Sequence, residues 1–364
     1  MSRYNRHIIL DEIGQAGQDK INAAKVLVIG AGGLGCPVLQ YLVAAGVGTI
    51  GIVDFDTVDE SNLQRQVLYS TISIGQNKAI AAKERLLQLN PTISIHSYPE
   101  KLVSDNVIKI FTGYDIIVDG TDNFSARYLI NDAAIILDKP IVYGAIYKFE
   151  GQVSVFNYRE GPSYRCLFPN PPKKNSVPNC SEIGVLGVLP GIIGSMQANE
   201  VLKIILGIGT SLSGKLYCFN ALTNQSIIIG IKKEEITIAL VKQRGSNFEI
   251  IEDTSFCFND ASEIGIETIT SEENIQFLDV RALSEMPRIE QEGILEIPLH
   301  QLTENLELIS KNKKIIVFCK SGIRSAQAVA LLKEHNITNC WSLKAGVSAF
   351  AKGYQNKNSY ENNL

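Results

Sequence analysis

The sequence predicts an α/β protein of two unequal units, and three observations carry that expectation. Across the first 120 residues, short apolar runs ending in glycine or an acid alternate with helix-patterned stretches. A glycine-rich turn sits between the first such run and the first helix. Near Glu263 a second, shorter alternation of apolar runs and one helix begins. Strands alternating with helices build a parallel sheet covered on both faces. At roughly 150 residues per domain, 364 residues make about two domains.

Taken in order, Val26 to Ile29 is an apolar run closed by Gly30, and a helical stretch follows from Pro37 to about Ala45. Thr49 to Val53 is a second run, ending in Asp54 and Asp56. Lys78 to Leu89 reads as a helix that Pro91 stops. Ile93 to Tyr98 and Ile116 to Val118 read as strands, the latter followed by Asp119 and Asp122. Pro140 to Phe156 and Lys215 to Ile231 read as further strands, mixed or antiparallel. Between them, Gly161 to Cys180 is rich in Pro and Asn and reads as a long loop of the kind that is usually functional or mobile. The apolar stretch from Pro190 to Leu206 lacks a polar face, which expects burial in a core or a subunit interface. The expected boundaries are a first domain over 1–245, a linker over 246–262, a small α/β domain over 263–354 and a disordered Asn-rich tail over 355–364. In the second domain, strands are expected at Phe277 to Val280, Ile315 to Phe318 and Cys340 to Leu343, with a helix from Ser325 to Glu334.

Composition narrows the function. A net charge of -4 argues against bulk nucleic-acid binding. No apolar run reaches about 18 residues, so no membrane span is expected. The opening MSRYNRHIIL has no apolar core before a small-residue cleavage site. Seven scattered cysteines, an odd count, fit reduced thiols in a cytoplasmic protein.

Two constellations carry chemistry. Gly30-Ala31-Gly32-Gly33-Leu34-Gly35 matches G-x-G-x-x-G between a strand and a helix. Such a turn lets backbone N–H groups approach phosphate oxygens at a helix N-terminus. Asp54, at the end of the next strand, can accept hydrogen bonds from ribose hydroxyls. That pattern alone would fit a dinucleotide. Arg6, Asn62, Arg65, Lys78 and Asp122 add cations, an amide and an acid. This set suits a triphosphate with Mg²⁺ better than hydride transfer. The second constellation is Cys319-Lys320-Ser321-Gly322-Ile323-Arg324, between an apolar strand and an amphipathic helix. A loop there can aim N–H groups and a helix dipole at one sulfur, stabilising a thiolate or persulfide. Arg324 is placed to hold the negative charge of an incoming sulfur donor.

With these motifs in hand, the first part resembles the E1-type adenylyltransferases of the MoeB/ThiF family over roughly residues 2 to 230. Arg3 to Ile9, the glycine loop, Asp54-Phe55-Asp56, Ser61 to Gln66, Gly75 to Lys78 and Thr121-Asp122-Asn123 carry the match. The resemblance implies a Rossmann-like ATP-binding domain with a mixed sheet. It implies adenylation of the C-terminal glycine of a small ubiquitin-like sulfur carrier protein ending in Gly-Gly. Asp54 would then hold the ribose, Gly33 the phosphate loop, Arg65 and Lys78 the phosphates, and Asp122 the Mg²⁺. Arg6 would reach a neighbouring subunit's ATP, implying a homodimer. Cys180 matches a cysteine that links covalently to the carrier in some members. The sequence departs where related enzymes carry two zinc-binding C-x-x-C pairs: Ser163-Tyr164-Arg165-Cys166 keeps one cysteine, and no second pair follows. Structural zinc is therefore not expected.

Residues 263 to 353 resemble rhodanese-type sulfurtransferases through the Cys319 loop, Leu278-Asp279-Val280-Arg281 and Ala345 to Phe350. Where that family often has G-H-I-P-G-A, the chain reads Ile289-Glu290-Gln291-Glu292-Gly293-Ile294. Together the two resemblances imply an adenylyltransferase joined to a sulfurtransferase that takes sulfur from a persulfide donor. The product would be a thiocarboxylate for molybdopterin, thiamine or tRNA thiolation. An NAD-binding oxidoreductase and a non-catalytic scaffold for a ubiquitin-like protein are the alternatives.

Overall fold

The computed structural model describes residues 3–172, 184–246, 248, 263–265, 269, 274–283, 285–286, 288–289, 293–320, 322–343 and 346–347. The chain divides into two compact units, residues 1–253 and 254–364. Apart from residues 246 and 248, the linker expected at 246–262 lies outside the described residues, as does the tail.

The first unit opens with a short helix α1 (Asn5–Ile8) and α2 (Gly14–Ala23). It continues β1 (Lys25–Ile29), α3 (Gly35–Ala45), β2 (Thr49–Val53), α4 (Lys78–Leu89), β3 (Ser94–Tyr98) and α5 (Ser104–Thr112). Then come β4 (Ile116–Asp119), α6 (Phe124–Ile136), β5 (Ile141–Tyr147), β6 (Glu150–Phe156) and α7 (Tyr164–Leu167). The described part closes with α8 (Leu189–Leu206), β7 (Lys215–Asn220), β8 (Gln225–Gly230) and α9 (Glu235–Arg244). One eight-stranded sheet runs in the order β3-β2-β1-β4-β5-β6-β7-β8. The first five strands are parallel, and β5 to β8 pair antiparallel. The mixed sheet is as the sequence expects.

Register sets the site. Ile29 pairs with both Val53 and Asp119, so β1, β2 and β4 end side by side. After β3 the chain crosses back over β1 to β4, which makes this edge the topological switch point where open α/β sheets bind ligands. One apolar core lies under α3, α4 and α8, and a second under α5 and α6. The apolar 190–206 helix, α8, packs on the core of this unit. It packs on α3, β5 and β6 and buries Ile193, Ala198 and Val201. Buried Gln197 donates from Nε2 to the carbonyls of Asp119 (2.8 Å) and Val142 (3.2 Å), tying α8 to the ends of β4 and β5.

The sequence reading missed α2, α5, α6 and α9. The last buries only Ile238 and Val241, too few for an apolar stripe. Within the loop expected at 161–180 the structure forms α7, and the rest beyond residue 172 is not described. Buried Arg165 makes a two-point ion pair with buried Asp132 (2.7 and 2.8 Å), and Cys166 Sγ accepts from the N–H groups of Ser163 and Glu234 (both 3.3 Å). These contacts hold α7 in place. Removing one partner of such a buried pair typically costs about 3–5 kcal/mol.

The second unit has β9 (Glu263–Ile264), β10 (Ile275–Asp279), β11 (Ile294–Glu296), β12 (Lys314–Phe318), α10 (Ile323–Glu334) and β13 (Cys340–Leu343). Its strands form one parallel sheet, β11-β10-β12-β13-β9. β9 and β11 are two and three residues long, too short to mark a period in sequence. No described helix is long and apolar enough to cross a membrane.

Candidate active sites

The glycine loop owes its shape to two close approaches. Gly30 has φ +88° and comes so near β4 that a Cβ would lie 2.7 Å from the Gly120 carbonyl oxygen. A Cβ on Gly35 would lie 1.9 Å from the Gly30 carbonyl oxygen. These two glycines therefore serve the turn itself. Gly32 is different, since its nearest neighbour to an added Cβ is Gln66 Nε2 at 3.7 Å. It is open toward a cavity of about 390 Å³ lined by Gly30, Gly32, Gly33, Asp54, Asn62, Arg65, Lys78 and Asp122.

Within this cavity Asp54 is fixed by two backbone donors. Its Oδ2 accepts from Ala31 N–H (2.8 Å) and its Oδ1 from Asp56 N–H (2.9 Å). Burial pushes its carboxyl above the usual range, while Lys78 and the two N–H donors pull it back. Lys78 begins α4, which Asn77 caps by accepting from Ala79 and Ile80 N–H. The Lys78 ammonium lies 3.1 Å from Asp56, whose side chain is half exposed. Arg65 lines the cavity with its stem beside Gly33 and donates from its guanidinium to the Ser61 carbonyl at 3.0 Å. Asp122 is exposed at the start of the loop that Asn123 ends by capping α6.

Two expected residues are not in this cavity. Gly35 is buried under the turn, and Arg6 is exposed on α1. Of three further residues at the site, Arg127 went unnamed in the sequence reading, while Asp119 and Gln66 were named only within their motifs and given no role. Arg127 lines the cavity, donates to the Thr121 carbonyl (3.0 Å) and lies over the Tyr143 ring at 5.3 Å. Buried Asp119 accepts from Thr121 N–H (2.9 Å) and Oγ1 (2.7 Å), and burial raises its pKa. Gln66 lines the cavity with a buried Oε1 that has no hydrogen-bond partner. The signal for Arg127 was its place in the first helical turn after Thr121-Asp122-Asn123. The buried Cys36 thiol is pushed up to about 12 and belongs to the core.

In the second unit Cys319 follows β12 and its side chain is buried. Its Sγ accepts from Gly322 N–H (3.2 Å) and from Ser325 Oγ (3.6 Å) at the start of α10. Gly322 has φ +95°, which folds the loop back over the sulfur. Gly346 closes the other side, where an added Cβ would meet the Cys319 carbonyl oxygen at 2.3 Å. Arg324, expected to hold the charge of an incoming donor, has a partner of its own in this structure. Its guanidinium is engaged by both carboxylate oxygens of Glu285, with Nη2 donating at 2.8 Å. Arg324 in turn holds the Glu285 carboxyl down at about 2. Glu285 was missed; it stands four residues after Arg281, which pairs with Asp279 at 2.7 Å. Cys180 and Ser321 lie outside the described residues.

With this geometry established, comparison with known proteins gives a consistent result. A ThiF family model matches residues 4–237, and a Rhodanese-like domain model matches residues 267–353. The probable adenylyltransferase/sulfurtransferase MoeZ of Mycobacterium tuberculosis is 40% identical, over 98% of this chain and 94% of its own. A sulfur carrier protein adenylyltransferase of Thermus thermophilus is 53% identical, over 61% of this chain and 84% of its own. Among solved structures, Escherichia coli MccB shares the fold of the first unit at a TM-score of 0.58 and 22% identity, over 65% of this chain and 73% of that one. The chain therefore belongs to the ThiF family, carries a rhodanese-like domain behind it, and is an enzyme of the adenylyltransferase and sulfurtransferase class.

Proposed function

We propose that the first unit adenylates the C-terminal glycine of a small ubiquitin-like sulfur carrier protein, and that Cys319 supplies the sulfur that converts it to a thiocarboxylate. The observation that carries this reading is the convergence of the glycine loop, Asp54, Arg65, Lys78 and Asp122 on one cavity. A carboxylate is already an anion at neutral pH and needs no general base. The barrier lies in bringing it to an anionic α-phosphate, so cations and N–H donors fixed in place supply most of the catalysis. Asp54 binds the ribose hydroxyls, the loop N–H groups take phosphate oxygens, and Arg65 and Lys78 neutralise charge as a carboxylate oxygen attacks the α-phosphorus and pyrophosphate leaves.

Among the described residues no cluster of three or more His, Cys, Asp or Glu could hold a metal. A lone carboxylate such as Asp122 fits an ion that substrate phosphates complete, as Mg²⁺ usually is. Mg²⁺ bound there would neutralise phosphate charge. Structural zinc has no place in this reading, and one zinc per chain by elemental analysis would overturn that part. Arg6, exposed on α1, serves the ATP of the second subunit in a homodimer. Mixed dimers of Arg6→Ala and Asp122→Ala chains should then regain activity, because one of their two sites is intact.

In the second half-reaction the outer sulfur of a Cys319 persulfide attacks the acyl carbon and AMP leaves. Cys180 thiolate then attacks the Cys319 sulfur and frees the thiocarboxylate, leaving a Cys180–Cys319 disulfide for an external thiol to reduce. Thiol chemistry of this kind fits a cytoplasmic setting. The carrier decides whether molybdopterin, thiamine or tRNA thiolation is served. The test is carrier-dependent ATP–pyrophosphate exchange: Asp122→Ala should abolish it with the fold intact, and near-normal exchange would sink the assignment.

A further inference from the structure

Three arginines, two at or near the end of β10 and one at the start of α10, each face carboxylate. β10 pairs Asp279 with Phe318, so its end lies beside the Cys319 loop. Arg281 and Asp279 are buried against each other. Arg288 reaches Asp279 (3.1 Å) and Glu296 (3.4 Å). Arg324, at the start of α10, is engaged by Glu285 at two points. The Arg324 guanidinium of the active loop is thus matched before any donor arrives. The flanks of Glu285 are apolar and open to solvent, with Leu283 62% and Met286 78% exposed. Lys320, within the loop, is exposed.

Resting on the sulfurtransferase reading above, we infer that Glu285 is a specificity-setting positioning residue. By matching Arg324 it disfavours dianionic sulfur donors and favours persulfides that carry little charge at the transferred end. Both donors deliver the same sulfur. With thiosulfate, Cys319 thiolate attacks the outer sulfur, the S–S bond breaks, and sulfite leaves with the electron pair. With a hydropersulfide, the outer sulfur is taken and a thiolate leaves. The sulfur–sulfur exchange is common to the two, and the donor charge differs. A carboxylate beside the loop repels the dianion most, and also holds the guanidinium away from it.

The experiment uses the full chain and two probes, thiosulfate and cysteine hydropersulfide, with persulfide on Cys319 read by mass spectrometry. Glu285→Gln should raise the ratio of kcat/KM for thiosulfate to that for the hydropersulfide by about fivefold or more, mainly through KM. The gain should shrink in high salt. Glu285→Asp keeps the charge and should hold the ratio near that of the unsubstituted chain, which a merely structural role would not require. An unchanged ratio in Glu285→Gln, or the same rise in Glu285→Asp, overturns the inference. Failure of both donors to load Cys319 in the unsubstituted chain is a different result. It removes the sulfurtransferase reading and this inference with it.

Discussion

Single residues here are set by their partners more than by their type. Asp54 and Asp122 are both acids at the cavity, yet Asp54 is tied to Ala31 and Asp56 N–H groups while Asp122 faces solvent. The first is built to stay put and the second to meet something that arrives. Glu285 shows the same logic in its titration. Its folded pKa lies near 2, chiefly because Arg324 donates to it. A carboxyl with a lowered folded pKa adds stability that is complete above its unfolded value of about 4.3 and is lost as pH falls through the folded value. The Glu285–Arg324 pair should therefore hold at pH 4 and fail only as pH nears 2. Carboxyl NMR of glutamate-labelled protein should give a Glu285 midpoint near 2, returning to the usual range in Arg324→Leu. A midpoint above 4 in the unsubstituted chain would mean that the pair does not form in solution.

At the scale of elements, the strand–turn–helix from β1 to α3 separates two uses of glycine that the motif writes identically. Gly35 sits where a side chain would strike backbone at 1.9 Å, and Gly32 where only a side-chain nitrogen is near, at 3.7 Å. Gly35→Ala should cost about 3 kcal/mol or more in denaturant unfolding, since backbone must shift. Gly32→Ala should unfold within about 0.5 kcal/mol of the parent but lose ATP affinity, because its Cβ enters the cavity. Equal stability losses for both would contradict this division. The same reasoning tells which elements sequence could name. The glycine turn, the β1, β2 and β4 runs and α4 announce themselves by apolar period and by caps. β9, β11 and α9 do not, because they are short or bury too little to imprint a period.

For the whole molecule, the two chemistries belong to two compact units, residues 1–253 and 254–364. Each holds its own core, so neither active site needs the other to form. Cys319→Ala should abolish sulfur transfer from a persulfide donor and leave carrier adenylation intact. Cys180→Ala should allow adenylation and persulfide formation but slow release of the thiocarboxylated carrier. Mass spectrometry of the carrier after a single turnover checks both. Loss of adenylation in Cys319→Ala would show that the units are coupled, and full-rate release by Cys180→Ala would leave Cys180 without a part in the reaction.

The sequence by itself determined the two-unit α/β plan, the glycine turn, Asp54, Lys78 and the Cys319 loop. Each of these rests on local chemistry, an apolar period, a cap or a motif with fixed spacing, which a linear chain displays in full. Only the tertiary structure decided that β1, β2 and β4 end together, that Gln197 ties α8 to β4 and β5, and that Arg127 joins the cavity. It also decided that Arg165 finds Asp132 and Arg324 finds Glu285, pairs 33 and 39 residues apart. An ion pair leaves no period in sequence. Its partners are chosen by which strands and helices come to lie side by side, and that is settled by sheet order and core packing.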